Sequence, residues 1–255
     1  AMRKGHSRDG HLPYGAMPRL TFAWLSSSAL RNKTREIAIG HSANEFLHLR
    51  GMDSQGTRHK TLRTQMQALA ACRLQLGFKG RTYNGQPVEQ FDAWIKDGDA
   101  KQLTLWPGTL TLSEGYYNGL IDSAVPLDNR ALHVLKGSAL ALDIYAWLAH
   151  RLHRIESRPV MLYWMKLREQ FAQEYSGKNA DKDFKRAFMP ALKQVLSVYP
   201  AAKVEQVKGG ILLYCSPPPS PYKSCKRPRA RLLFLWITLY IQQVIHVQSL
   251  QPVHC

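Results

Sequence analysis

The chain has 255 residues, 45% of them hydrophobic, which is enough for two ordinary domains and excludes an unfolded polar chain. Its 35 lysines and arginines against 18 acidic residues leave a formal charge of +17. That excess points to a polyanionic partner and argues against an acidic binder. Cys72, Cys215, Cys225 and Cys255 lack any CxxC or ligand spacing, so free thiols in a reducing compartment are expected. The start "AMRKGHSRDGH" is polar with no apolar run behind it, so no secretory signal is expected.

In chain order, the spacing predicts a helix from near Met17 to about Arg31, with Pro18 in its first turn. "REIAIG" alternates as a strand ending at Gly40. "SANE", Ser42 to Glu45, reads as a capping box that opens a short helix with Phe46, Leu47 and Leu49 inward. After the polar turn "MDSQGT", a third helix runs from about Arg58 to Ala71, with Leu62, Met66, Leu69 and Ala70 on its apolar face. "RLQLGFKG" alternates as a strand and "TLTLS", Thr109 to Ser113, is expected to return beside it. The stretch between them, about Thr82 to Gln102, reads as an elaborated loop.

The same order then recurs. A connector with one or two short helices, Asp128 capping one of them, leads to a long helix from about Ser138 to Ile155. "RPVMLYW" is the strand, "MKLREQFAQEY" the short helix, "SGKNAD" the turn and "DKDFKRAFMPALKQVL" the third helix. Pro190 predicts a kink in that helix or a later start. "AAKVEQVKGGILLYC" closes the set as a hairpin turning at Lys208-Gly209-Gly210. Trp24 and Trp147 are 123 residues apart, and so are Arg35 and Arg158.

Helix, strand, helix, turn, helix, hairpin is the winged-helix order, in which a small sheet braces a helix-turn-helix pair. The expected fold is therefore α+β and mainly helical: two tandem winged-helix domains, each with a small β-hairpin wing, over residues 11–122 and 123–216. Residues 217–255, with "SPPPSPYK", basic "SCKRPRAR" and apolar "LLFLWITLYI", read as a poorly ordered tail. The apolar run from Leu232 to Ile241 is well short of the roughly 20 residues that cross a bilayer. No membrane partner is expected, the alternative for the tail being a membrane-surface or partner-binding segment.

The chemistry concentrates on the two third helices. No acidic residue occurs from Ser54 to Val88. Off the apolar face of the first lie Arg58, His59, Lys60, Thr61, Arg63, Thr64 and Gln67, with Lys79 and Arg81 just beyond. Arg can pair with guanine O6/N7 and Gln with adenine N6/N7, while Lys and Thr serve phosphates, so the set suits a recognition helix in a major groove. The second set is more mixed: Lys178, Asn179, Lys182, Lys185 and Arg186, with Asp181 and Asp183 among them. Lys203 and Lys208 would lie on the wing. Two such helices on one duplex face would sit roughly 10 base pairs apart.

Catalytic readings are poor. There is neither a GxxxxGK[ST] nor a GxGxxG motif, so no cofactor is expected. No metal site is expected either, since His41 and His48 stand isolated and His150 and His153 merely flank Arg151-Leu152. Tyr116-Tyr117 could be cast as a nicking pair, but without a metal-binding histidine motif they read as packing residues. A non-enzyme is expected.

"LPYGAMPRLTFAWL" (Leu12 to Leu25), "VPLDNRALHVLKGSALALDIYAWLAHRL" (Val125 to Leu152) and "LREQFAQEY" (Leu167 to Tyr175) resemble the plasmid-encoded RepA replication initiators of bacterial plasmids. The likeness covers roughly His11 to Pro221. It implies a cytoplasmic bacterial protein that binds repeated double-stranded sites at its plasmid's origin and helps open the duplex. It also implies recruitment of the host initiator and helicase, a homodimeric form that represses its own promoter, and a part in copy control. The alternative on the same fold is a transcriptional repressor with no replication role.

Overall fold

The computed structural model describes residues 13–40, 43–48, 58–72, 74–78, 81–92, 108–156, 158–172 and 175–220. The fold is α+β, and the chain divides into two compact units, residues 1–118 and 119–255.

The first unit opens with α1 (Ala16–Asn32), which buries Phe22, Leu25 and Ala29. Lys33, at φ 54°, turns the chain out in the left-handed region and returns its N–H to the Ala29 carbonyl. β1 (Glu36–Gly40) follows, burying Ile37 and Ile39 and exposing Glu36 and Ala38, the alternation of a half-buried strand. Next come α2 (Ala43–His48) and α3 (Arg58–Ala70), then four strands: β2 (Leu74–Phe78), β3 (Arg81–Gly85), β4 (Val88–Asp92) and β5 (Gly108–Leu112).

The strand pairing departs from the sequence expectation in two respects. "TLTLS" is β5, and it lies between β1 and β4 in an antiparallel sheet of order β1-β5-β4, not beside "RLQLGF". Leu110 faces Ile37 on one side and Phe91 on the other. "RLQLGF" contributes β2, which forms a separate antiparallel hairpin with β3. The region read as a loop therefore holds β3 and β4. Buried Val88, with half-buried Phe91, gives β4 its inward face, a signal masked in the sequence by the surrounding Gly, Asp and Lys.

α4 (Glu114–Ser123) and α5 (Asn129–Val134) form the connector. Asp128 caps α5: its Oδ1 accepts the Arg130 backbone N–H at 2.9 Å. The Arg130 hydrogen bonds hold the Asp128 carboxyl below its usual range.

The second unit repeats the opening order. Ser138 accepts the Ala141 N–H through Oγ and caps α6 (Ala139–Arg151), whose last turn tightens to a 3-10 helix at Leu152–Arg154. β6 (Val160–Tyr163) leads directly into α7 (Trp164–Phe171), so Trp164 belongs to the helix and not the strand. α8 (Ala180–Val198) follows a turn at Gly177, then β7 (Val204–Val207) and β8 (Gly210–Leu213). The sheet order is β6-β8-β7, all antiparallel. Gly209 takes φ 89° in the hairpin turn, and a Cβ on Gly210 would lie 1.9 Å from the Leu162 carbonyl oxygen, so both glycines are required.

Pro190 neither delays nor ends α8, which starts at Ala180 and continues through it to Val198. The ring removes the donor that would serve the Arg186 carbonyl. Both residues lie on the exposed side, where water can serve that carbonyl.

The repeat is visible in the packing. Trp24 meets Phe46 of α2 edge-on at 5.4 Å, and Trp147 meets Phe171 of α7 edge-on at 5.3 Å. Leu62, Met66 and Leu69 are the buried stripe of α3, and Phe184, Phe188 and Ala191, at the same spacing, are that of α8. In each unit the first helix thus locks the short helix through one aromatic pair, and the third helix is seated by one apolar stripe.

The segment after β8 is tied down by Ser216, whose Oγ accepts the Lys203 N–H at 3.0 Å, and by the Tyr199 hydroxyl, which donates to the Pro217 carbonyl at 2.6 Å. Residues 221–255, Ser42 and the "MDSQGT" turn lie outside the described residues. No described helix is long and apolar enough to cross a membrane.

Candidate nucleic-acid interface

Burying Leu62, Gln65, Met66 and Leu69 turns the opposite side of α3 outward. Lys60, Thr61 and Gln67 are exposed, and Arg63 and Thr64 are half-buried. Residues 60, 64 and 67 follow helical spacing and form one row, and Arg63 adjoins it, three residues from Lys60 and four from Gln67. No carboxylate lies anywhere in α3, its first turn included. With no carboxylate of the helix itself opposing them, the amide dipoles of the N-terminus add to the lysine and arginine charge. Arg58 and His59 begin this helix and Arg81 begins β3, with their side chains outside the described residues; Lys79 lies wholly outside them.

Gln65, which composition gives no reason to single out, fixes the approach to α3. Its Oε1 accepts the Tyr14 backbone N–H at 2.7 Å. A buried amide between apolar stripe positions is the signal, but only coordinates reveal its partner.

Lys182, Lys185 and Arg186 lie on the N-terminal half of α8, off the buried stripe of Phe184 and Phe188, and Lys178 and Asn179 stand in the exposed turn just before it. Their electrostatics differ from those of α3. Asp181 and Asp183 occupy the first turn and complement the dipole themselves. Arg168 of α7 donates from Nε to Asp181 Oδ1 at 2.6 Å and from Nη1 to the Tyr175 carbonyl at 2.9 Å, fastening the α7–α8 turn. Lys185 extends over the Trp164 ring, with Nζ 5.3 Å from its centroid. Arg186 pairs with Asp183 at 3.1 Å, an exposed bond worth at most about 1 kcal/mol and readily exchanged for a phosphate. Lys178 and Lys182 are exposed and make no ion pair with described residues. Lys203 precedes β7 and Lys208 sits in the β7–β8 turn, both exposed, at opposite ends of the hairpin. The two sets of cations belong to separate units, each organised by its own helix.

Burial also shifts Tyr116, His150 and His153. Tyr116 is buried, its ring 5.0 Å from Phe22 and its hydroxyl 2.8 Å from Ser26 Oγ; burial pushes its pKa well up. Burial, reinforced by Arg154, His153 and Arg151, pulls His150 down to about 4. His153 is lowered chiefly by burial, and its Nδ1 meets the Ala149 carbonyl at 2.9 Å. Among the described residues no group of three or more His, Cys, Asp or Glu is placed to hold a metal. Cys72 is a buried free thiol and Cys215 an exposed one.

The molecule so far is a two-unit α+β protein whose units share a helix, strand, helix, helix opening and turn a cationic helix face outward. The plasmid encoded RepA protein family matches residues 12–164, more than half of the chain, and the chain belongs to that family. No curated protein sequence matches it. Among solved structures, the crystal structure of the RctB domains 2-3 is similar with a TM-score of 0.43 at 11% identity, over 77% of this chain and 78% of that one.

Proposed function

We propose that this RepA-family chain is a non-enzymatic plasmid replication initiator that grips origin duplex DNA with two winged-helix modules, α3 and α8 being their recognition helices. The acid-free outer face of α3 carries the proposal: Lys60, Thr61, Arg63, Thr64 and Gln67 offer phosphate contacts and base-edge donors from one side of a helix whose other side is core. The α8 set and Lys208 supply a second, more balanced contact, with β7–β8 as the wing. Binding at repeated sites would strain and open the duplex, bring in the host initiator and helicase, and, in a dimeric form, silence the protein's own promoter. The setting is the bacterial cytoplasm.

A reporter plasmid carrying the cognate origin but lacking the gene tests the reading. The protein supplied in trans is expected to sustain its replication. A protein that silences a promoter yet fails to sustain the plasmid would be a repressor on the same scaffold.

A further inference from the structure

Five tyrosines lie among the described residues of the second unit, and four are engaged. The Tyr145 hydroxyl accepts the Asp128 N–H, Tyr199 donates to Pro217, Tyr214 donates to Glu205, and the Tyr175 ring packs edge-on against Phe184. Tyr163 is the exception. It is 60% exposed, and neither its ring nor its hydroxyl has a hydrogen-bonding or aromatic partner among the described residues.

Its position is fixed by backbone. Tyr163 ends β6 opposite Gly210, and the next residue, Trp164, donates its N–H to the Gly209 carbonyl at 3.0 Å. The hairpin turn beside the ring is thus Lys208-Gly209-Gly210. Neither glycine has a side chain to cover the ring: a Cβ on Gly209 would sit 3.8 Å from Tyr163 Cδ1. The turn's one side chain is the exposed ammonium of Lys208, which has no ion pair among the described residues. Met165, two residues on in α7, is 47% exposed.

An open aromatic face held by paired backbone, with a lysine one residue from the turn's contact point, is the grammar by which proteins hold single-stranded nucleic acid: the ring stacks on a base and the cation takes the phosphate. An intact duplex hides its base faces and would gain little from such a ring. We infer that Tyr163, with Lys208, forms a stacking seat for an unpaired base. The seat gives the protein extra affinity for opened over closed DNA, and that difference is the only means by which binding can favour opening. The inference rests on the nucleic-acid reading above and adds the strand form that this end of the hairpin recognises.

The test uses the full chain, with anisotropy read on two labelled probes: an oligothymidylate about 20 nucleotides long and a plasmid-origin duplex of about 30 base pairs. Tyr163→Ala is expected to weaken oligothymidylate binding about tenfold, in the range for losing one stacked base, and to change duplex binding less than about twofold. Tyr163→Phe keeps the ring and is expected to bind like the wild type. Unchanged oligothymidylate binding by Tyr163→Ala, equal losses on both probes, or a Phe variant as weak as the Ala variant would overturn the stacking seat while leaving duplex recognition standing. Failure of the wild type to bind either probe would overturn both.

Discussion

Lys60→Glu combined with Arg63→Glu is expected to weaken binding of the full chain to origin duplex by at least about a hundredfold at moderate salt. Each reversal removes one attraction to phosphate and installs one repulsion, and each of these four changes is worth about 1 kcal/mol at solvent-exposed range. Their sum exceeds the roughly 2.7 kcal/mol that a hundredfold requires. Folding is spared, because Lys60 is exposed and Arg63 half-buried, while the stripe that seats α3 is Leu62, Met66 and Leu69. Arg31→Glu with Lys136→Glu makes the same change in net charge at exposed positions off both candidate helices. That control is expected to cost less than about fivefold, which separates a local contact from general attraction. Equilibrium titration of the three proteins checks it.

Phe188→Ala is expected to lower the stability of the second unit by about 3–5 kcal/mol, measured by urea unfolding. The ring is fully buried, with Trp164 at 6.0 Å, Phe171 at 5.7 Å and Phe184 at 5.2 Å around it. Its removal leaves a cavity between α7 and α8 that those rings can fill only by leaving their present geometry. Domains of this size commonly have only about 5–15 kcal/mol in total, so the variant consumes a large share. It also loosens the turn that Arg168 fastens to Asp181, so α8 loses its fixed presentation as the unit weakens. A loss below about 1 kcal/mol would mean that the aromatic cluster is not the core of this unit.

Much of this was readable before any coordinates because amphipathic helices declare themselves. The α3 stripe at Leu62, Met66 and Leu69 follows from spacing alone, as does the Asp128 cap. The strands were harder. "PVEQFD" carries only two large apolar residues amid charge, so nothing local marked β4, and which strand β5 would choose depends on tertiary packing that a five-residue alternation does not encode. Pro190 does not shift the start of α8: a proline breaks an isolated helix, but on the exposed side of a well-seated one the lost bond is tolerable. Partnerships were the least visible layer. Lys185 over Trp164 and Arg186 beside Asp183 look, in sequence, the same as Lys182, which makes no ion pair with described residues.

The salt dependence of duplex binding tests the central claim, two cationic helices engaging one DNA molecule, most directly. With six to ten phosphates neutralised, log K against log salt concentration should fall with a slope of about −5 to −9. Lys60→Ala and Lys182→Ala should each flatten that slope by about 0.9, and the double variant by about 1.8, because each helix releases its own counterions. A slope that neither substitution changes, or that only one of the two changes, would contradict the account.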